Sequence, residues 1–326
     1  MLGSFVLLAC QSDGGPTEDG ASGSTGAAQG SSTTDEDPSS SSTTGGAPGS
    51  SEGGDAESGS TGEPSPVPSW GEPDSLPSPD GACPTFESAT LEFAPGETGP
   101  RQARVWYDPE AGGGGPLVFY WHGTGSNPLE AEYGLGPAAI DDILMRGGMV
   151  VAPVHDPEAG QFPWYLVLSD REDDIHLMDE IVGCAAEGPG IDASRIHSIG
   201  MSAGGLQTTQ ASIRRASYIA SVVTYSGGLL DPETPSDAPD RPFPAMIYYG
   251  GTDDIVVISF LQTSERYRSH IAGRGGYSIL CDHGGGHTIP DARDRSWQFM
   301  LDHPFDITPF PYQGNIPAWV PDYCVE

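Results

Sequence analysis

The chain has 326 residues and a net charge of −33, from 46 acidic against 13 basic side chains, and every basic residue is an arginine. No arginine stands before Arg101, so the first third of the chain lacks the clustered cations that phosphate contacts need. Throughout, the balance argues against nucleic acid or an anionic membrane surface as a partner and reads most simply as solubility.

Residues 1–10 are apolar and end in Leu7-Leu8-Ala9-Cys10. They resemble the end of a bacterial lipoprotein signal segment, in which a small residue precedes a cysteine that becomes lipidated. That resemblance makes Cys10 the expected lipid anchor, on an exported surface lipoprotein or a secreted protein. Residues 11–81 are almost wholly Gly, Ser, Thr, Pro, Asp and Glu, too poor in large apolar side chains to offset the entropy of ordering. They read as a disordered tether. Apolar clusters begin near Ala82, so residues 82–326 form a single domain. No other stretch reaches the roughly 20 apolar residues of a membrane span.

Within that domain, residues 117–121 (LVFYW) read as a buried strand, 137–145 as a helix and 149–154 as a second strand. Residues 170–186 follow as an amphipathic helix with an acidic start. After Gly188-Pro189-Gly190 come strand 195–199, helix 203–214, and strands 219–225 and 245–249. Helix 258–271, strand 277–281 and helix 293–301 complete the chain. Alternation of this kind implies a mostly parallel sheet covered on both faces, with the chemistry at the strand C-termini.

Gly200-Met201-Ser202-Ala203-Gly204 is G-x-S-x-G at a strand-to-helix turn, where glycines permit a tight bend and the serine projects from the sheet. A serine hydroxyl needs a base, and the base needs a carboxylate to hold its tautomer. Both follow in the order of α/β-hydrolases. Asp253 or Asp254 lies in the turn after strand 245–249, and His287 in the Gly-rich loop after strand 277–281. His283 and His270 are rivals for the base. The spacing of His283 and His287 could suggest a metal pair, but Gly284 to Gly286 lie between them and the expected Glu is missing. No metal and no cofactor is expected. The loop His122-Gly123-Thr124-Gly125 ends the first strand and is expected to supply one oxyanion donor, the amide of Thr124 or of Gly123, beside that of Ala203. His122 is read as shaping this loop.

These motifs resemble those of secreted esterases related to polyhydroxybutyrate depolymerases and feruloyl esterases. Tyr120 to Thr124, Gly200 to Gly205, Gly250 to Val257 and Gly284 to Pro290 match that family's HG, GxSAGG, HGTxDxxVP and GGGHTxP stretches. The resemblance implies an α/β-hydrolase fold and places the catalytic acid on Asp254. It also implies a Ser202-His287-Asp254 esterase acting on polymer-linked or aryl esters, such as feruloylated or acetylated polysaccharide or polyhydroxyalkanoate. A serine peptidase and a non-catalytic binding lipoprotein are the alternatives. Three departures stand out: Gly250 in place of His, no Pro after Val257, and Phe162-Pro163-Trp164-Tyr165 in place of the depolymerases' Cys-Trp-Asn-Trp element. Trp164 and Tyr165 are either a substrate platform or part of the core. Four cysteines besides Cys10 suggest two disulfides, for which Cys83 with Cys324 and Cys184 with Cys281 is the expected pairing.

Overall fold

The structure, a computed structural model, describes residues 67–326 apart from 97, 231–234, 236, 237 and 292. In chain order the first half comprises β1 (Thr90–Phe93), β2 (Arg101–Tyr107), β3 (Gly115–Trp121), α1 (Glu130–Gly134), α2 (Pro137–Met145), β4 (Met149–Pro153) and α3 (Asp173–Glu187). There follow β5 (Ile191–Met201), α4 (Ala203–Arg214), β6 (Ser221–Tyr225), β7 (Pro244–Tyr249), β8 (Ile255–Val256), β9 (Ile258–Ser259), α5 (Phe260–Gly273), β10 (Tyr277–Asp282), α6 (Asp294–Asp302) and β11 (Cys324–Val325).

Among the described residues nine strands form one sheet in the order β1-β2-β4-β3-β5-β6-β7-β10-β11, and β8 with β9 makes a separate hairpin. Pairing is parallel from β4 across to β10 and antiparallel at both margins. The central strands are apolar runs rather than alternating ones because helices cover both faces. All seven residues of β3 are buried. Successive side chains of a strand point to opposite faces. Leu117, Phe119 and Trp121 accordingly join the core beneath α3, α4 and α5, whereas Val118 and Tyr120 join the one beneath α2 and α6.

The margins were not foreseen. In β2 the charged residues Arg101 and Arg104 interrupt the apolar signal, yet Arg101 is buried, its guanidinium 2.9 Å from Asp174 Oδ1 at the start of α3. An inward-facing ion pair thus stands in a strand that the sequence reading did not pick out.

The expected disulfide pairing is wrong. Cys83 is bonded to Cys184 and Cys281 to Cys324. The backbone amides of Asp80 and Gly81 donate to the Glu180 carboxylate at 2.6 and 3.0 Å, which lays this segment along α3 and carries Cys83 to Cys184. Cys324 reaches Cys281 because β11 adds to the free edge of β10, with the two cysteines directly opposite in register.

The boundary expected after residue 81 also lies earlier in the structure. Ser69 pairs with Thr308, the Gly71 amide donates to Phe305 O at 3.0 Å, and Leu76 packs on the core. The lipoprotein-like segment with Cys10, and the tether as far as residue 66, lie outside the described residues. No helix among the described residues is long and apolar enough to cross a membrane.

Candidate active site

Ser202 stands between β5 and α4 with φ 57° and ψ −120°, a conformation rarely occupied by a residue bearing a Cβ. The turn is set by close backbone approaches. A Cβ at Gly204 would lie 1.8 Å from Trp121 O, and one at Gly200 would lie 2.4 Å from Gly204 O. The Ser202 amide donates to Tyr225 O on the neighbouring strand at 2.9 Å, so the turn is tied to the sheet.

Three side chains from three separate loops meet here. His287 Nε2 lies 2.9 Å from Ser202 Oγ, and its Nδ1 lies 2.8 Å from Asp254 Oδ1. A carboxylate can only accept, so the proton sits on Nδ1 and Nε2 is left to accept from the serine hydroxyl. Phe260 stacks on the His287 ring at a centroid distance of 4.7 Å and limits its rotation. Asp254 is fully buried, whereas its neighbour Asp253 is exposed in the turn. Burial pushes the Asp254 carboxyl up. The hydrogen bonds from His287, from the Gly250 amide at 2.9 Å and from the Ser226 hydroxyl at 2.8 Å outweigh it and hold the group below its ordinary value.

The loop after β3 passes beside the serine, since a Cβ at Gly123 would lie 3.5 Å from Ser202 Cβ. The Gly123 amide is already engaged, donating to Glu130 Oε1 at 3.0 Å. The Thr124 amide has no partner among the described residues. The Ala203 amide belongs to the first turn of α4, where N–H groups have no acceptor within the helix. The two expected donors, Thr124 and Ala203, are therefore the ones left open.

His122 is fully buried and shapes this loop. Its Nδ1 donates to Gly123 O at 2.9 Å, so its Nε2 must accept from His155 Nδ1 at 3.2 Å. Burial lowers its pKa to about 4, which keeps the ring neutral. Trp164 and Tyr165 do not form a platform. They are 1% and 4% exposed. Trp164 packs edge-on against Trp121 at 4.9 Å and donates from Nε1 to His122 O at 2.9 Å, while the Tyr165 amide donates to Asp174 Oδ2. They buttress the His122 loop from inside.

His283 is engaged within its own loop, its Nδ1 accepting from the Gly285 amide at 3.2 Å. His270 lies on α5, partly buried. Among the described residues no group of three or more His, Cys, Asp or Glu is placed to hold a metal ion.

Ser226, Glu130 and Phe260 were not singled out from sequence. Gly250, noted there only as a departure from the family motif, has a clear reason. A Cβ at that position would lie 1.9 Å from Gly286 O, so the Asp254 and His287 loops meet backbone to backbone, leaving no room for a histidine.

The sequence matches no family model and no curated protein. Solved structures do match. Native pOPH superposes with a TM-score of 0.58 at 15% identity, over 79% of this chain and 96% of that one. An esterase from Pyrobaculum calidifontis gives 0.50 at 17% identity, over 68% and 85%, and a ferulic acid esterase 0.50 at 15% identity, over 64% and 95%. With the strand order above, these likenesses define the fold as that of the α/β-hydrolases.

Proposed function

We propose that the chain is an exported serine carboxylic-ester hydrolase. The observation that carries this reading is the unbroken run of hydrogen bonds from Ser202 Oγ through His287 to the buried Asp254 carboxylate. In the proposed reaction Ser202 Oγ attacks the ester carbonyl as His287 Nε2 takes its proton, and Asp254 stabilises the imidazolium. The amides of Ala203 and Thr124 receive the negative charge that develops on the carbonyl oxygen. His287 then returns the proton to the departing alcohol. Water, activated by the same base, releases the acyl group, and no cofactor enters.

A polymer-linked or aryl ester is the substrate class that the surroundings favour. An open groove of about 950 Å³ runs beside the His287 loop between Tyr133, Thr288, Trp319 and Tyr323. On the Asp254 side, Ile255, Val256 and Val257 are 59%, 48% and 82% exposed. Open borders that combine exposed aromatic and apolar side chains with the charged Asp291, Asp294, Arg295 and Asp322 suit a bulky, polymer-linked ester better than a small enclosed one. Export is supported by the two disulfides, which persist in oxidising compartments. Lipidation at Cys10, with a membrane contact through that lipid alone, belongs to the same reading.

The test is hydrolysis of p-nitrophenyl butyrate and methyl ferulate by the wild-type chain and its Ser202→Ala variant, with fluorophosphonate labelling alongside. Hydrolysis and labelling that both vanish in the variant are expected. A folded wild type that is inert in every assay overturns the reading.

A further inference from the structure

We infer that Glu130 is a positioning residue for the oxyanion site: by holding the Gly123 amide it aims the Thr124 amide at the ester carbonyl oxygen. This role rests on the ester-hydrolase reading.

The two candidate donors of the loop after β3 are the adjacent amides of Gly123 and Thr124, and the carboxylate at the start of α1 decides between them. Glu130 Oε1 accepts from the Gly123 N–H at 3.0 Å and from the buried Tyr120 hydroxyl at 3.1 Å. The first amide is thereby consumed. The peptide joining Gly123 to Thr124 is planar and trans, so the Thr124 N–H points opposite to the Gly123 carbonyl. That carbonyl is itself held, accepting from His122 Nδ1 at 2.9 Å and from the Ser126 amide at 3.1 Å. With Gly123 fixed at its N–H by Glu130 and at its C=O by His122 and Ser126, the Thr124 N–H has one direction left.

Glu130 is in turn fixed from two sides. Its backbone amide donates to Asn127 O at 3.0 Å, closing the turn that returns the chain from Gly125, and its carboxylate is pinned by Tyr120 at the end of β3. A Cβ placed on Gly123 would lie 3.4 Å from Met201 O, 3.5 Å from Ser202 Cβ and 3.7 Å from Glu130 Oε2. The clamp therefore sits directly against the nucleophile turn. Its acceptor geometry matters more than its charge, because a carboxylate this close to a developing oxyanion repels it. A glutamine oxygen can accept the same two hydrogen bonds.

The experiment compares Glu130→Gln, Glu130→Asp and Glu130→Ala in the full chain, on p-nitrophenyl butyrate and on a trifluoromethyl ketone that mimics the tetrahedral intermediate. Removing an oxyanion donor outright costs roughly 100- to 1,000-fold in kcat, so loosening one should cost about 10- to 100-fold. That loss is expected in the Ala and Asp variants, with KM within about threefold and ketone affinity falling in step with kcat. Glu130→Gln should restore kcat to within about threefold of wild type. Asp keeps the charge on a shorter arm and tests the role even if the Ala variant does not fold. Ala or Asp variants that are folded and keep kcat within about twofold of wild type overturn the assignment, as does a loss that Gln does not restore. If wild-type hydrolysis survives Ser202→Ala, or is absent with no fluorophosphonate labelling, the ester-hydrolase reading itself fails and this role goes with it.

Discussion

The Ser226 hydroxyl donates to Asp254 Oδ2 at 2.8 Å, on the carboxylate oxygen opposite the one that faces His287. Ser226 holds φ 44° to do so, and its own amide is bonded to Tyr248 O at 2.9 Å. One buried carboxylate thus receives three hydrogen bonds from three loops, which is why it stays ionised at full burial. Ser226→Ala should lower kcat by about 3- to 10-fold and stability by about 1–3 kcal/mol, the usual cost of a lost partner to a buried group. Asp254→Asn should lower kcat by about 10,000-fold, since an amide no longer fixes the Nδ1–H tautomer of His287. Asp253→Asn should leave kcat within about twofold. Steady-state kinetics of the three variants decide the matter, and a large loss in the Asp253 variant alone would move the acid to the neighbouring residue.

Much of this constellation could be read from sequence because it depends on strict local chemistry. Gly200 and Gly204 face the backbone at distances no side chain survives, and the chain order of serine, aspartate and histidine follows from the strand order. Residues that act through a turn were harder to see. Glu130 reaches Gly123 across seven positions, and Ser226 reaches Asp254 across 28. Neither belongs to a periodic pattern. The disulfides failed for a related reason, since the route of residues 78–81 along α3 and the edge addition of β11 depend on packing that no spacing encodes. Trp164, readable as platform or core, needed the burial of its indole against Trp121 and His122 to be decided.

Three buried histidines make the fold acid-sensitive. Burial lowers the pKa of His122 and His303 to about 4 and, with Arg195 and His303 nearby, that of His197 to about 3. The unfolded chain binds protons at these sites near pH 6.5 and the folded chain does not. Their contribution is complete above about pH 6.5 and is lost as pH falls toward 4. Asp254, held below its ordinary value, extends the loss to lower pH. The melting temperature should fall by on the order of 10 °C between pH 6.5 and 4 and stay nearly level from 6.5 to 8. Thermal melts at fixed ionic strength test this, and a curve without slope below pH 6.5 would refute it.

The Arg101–Asp174 pair should behave as a buried ion pair whose halves cannot be removed singly. Arg101→Met leaves Asp174 charged with no counter-ion and should cost about 3–5 kcal/mol in urea unfolding. Replacing both, as Arg101→Met with Asp174→Leu, should recover only part of the loss. Asp174 Oδ2 also accepts from the Tyr165 amide at 2.8 Å, and that donor would be left buried and unpaired. Full recovery in the double variant would show that the amide bond contributes nothing.

Val257 sits at the tip of the β8–β9 hairpin with φ 67° and is 82% exposed. A β-branched side chain in the left-handed region carries strain on the order of 1–3 kcal/mol, and here almost no packing offsets it. Glycine adopts this φ freely, at a cost of about 0.5–1 kcal/mol in unfolded-chain entropy. Val257→Gly should therefore stabilise the protein by roughly 1 kcal/mol, visible as a rise of a few degrees in melting temperature. The hairpin is anchored below its tip by the Phe260 amide donating to Asp254 O at 3.0 Å, so hydrolysis of a small soluble ester should change little. On the proposed polymer-ester reading, turnover of an insoluble polyester should fall, because the exposed apolar tip stands on the Asp254 side of the site. A melting temperature below that of wild type would mean that the valine makes contacts worth more than its strain.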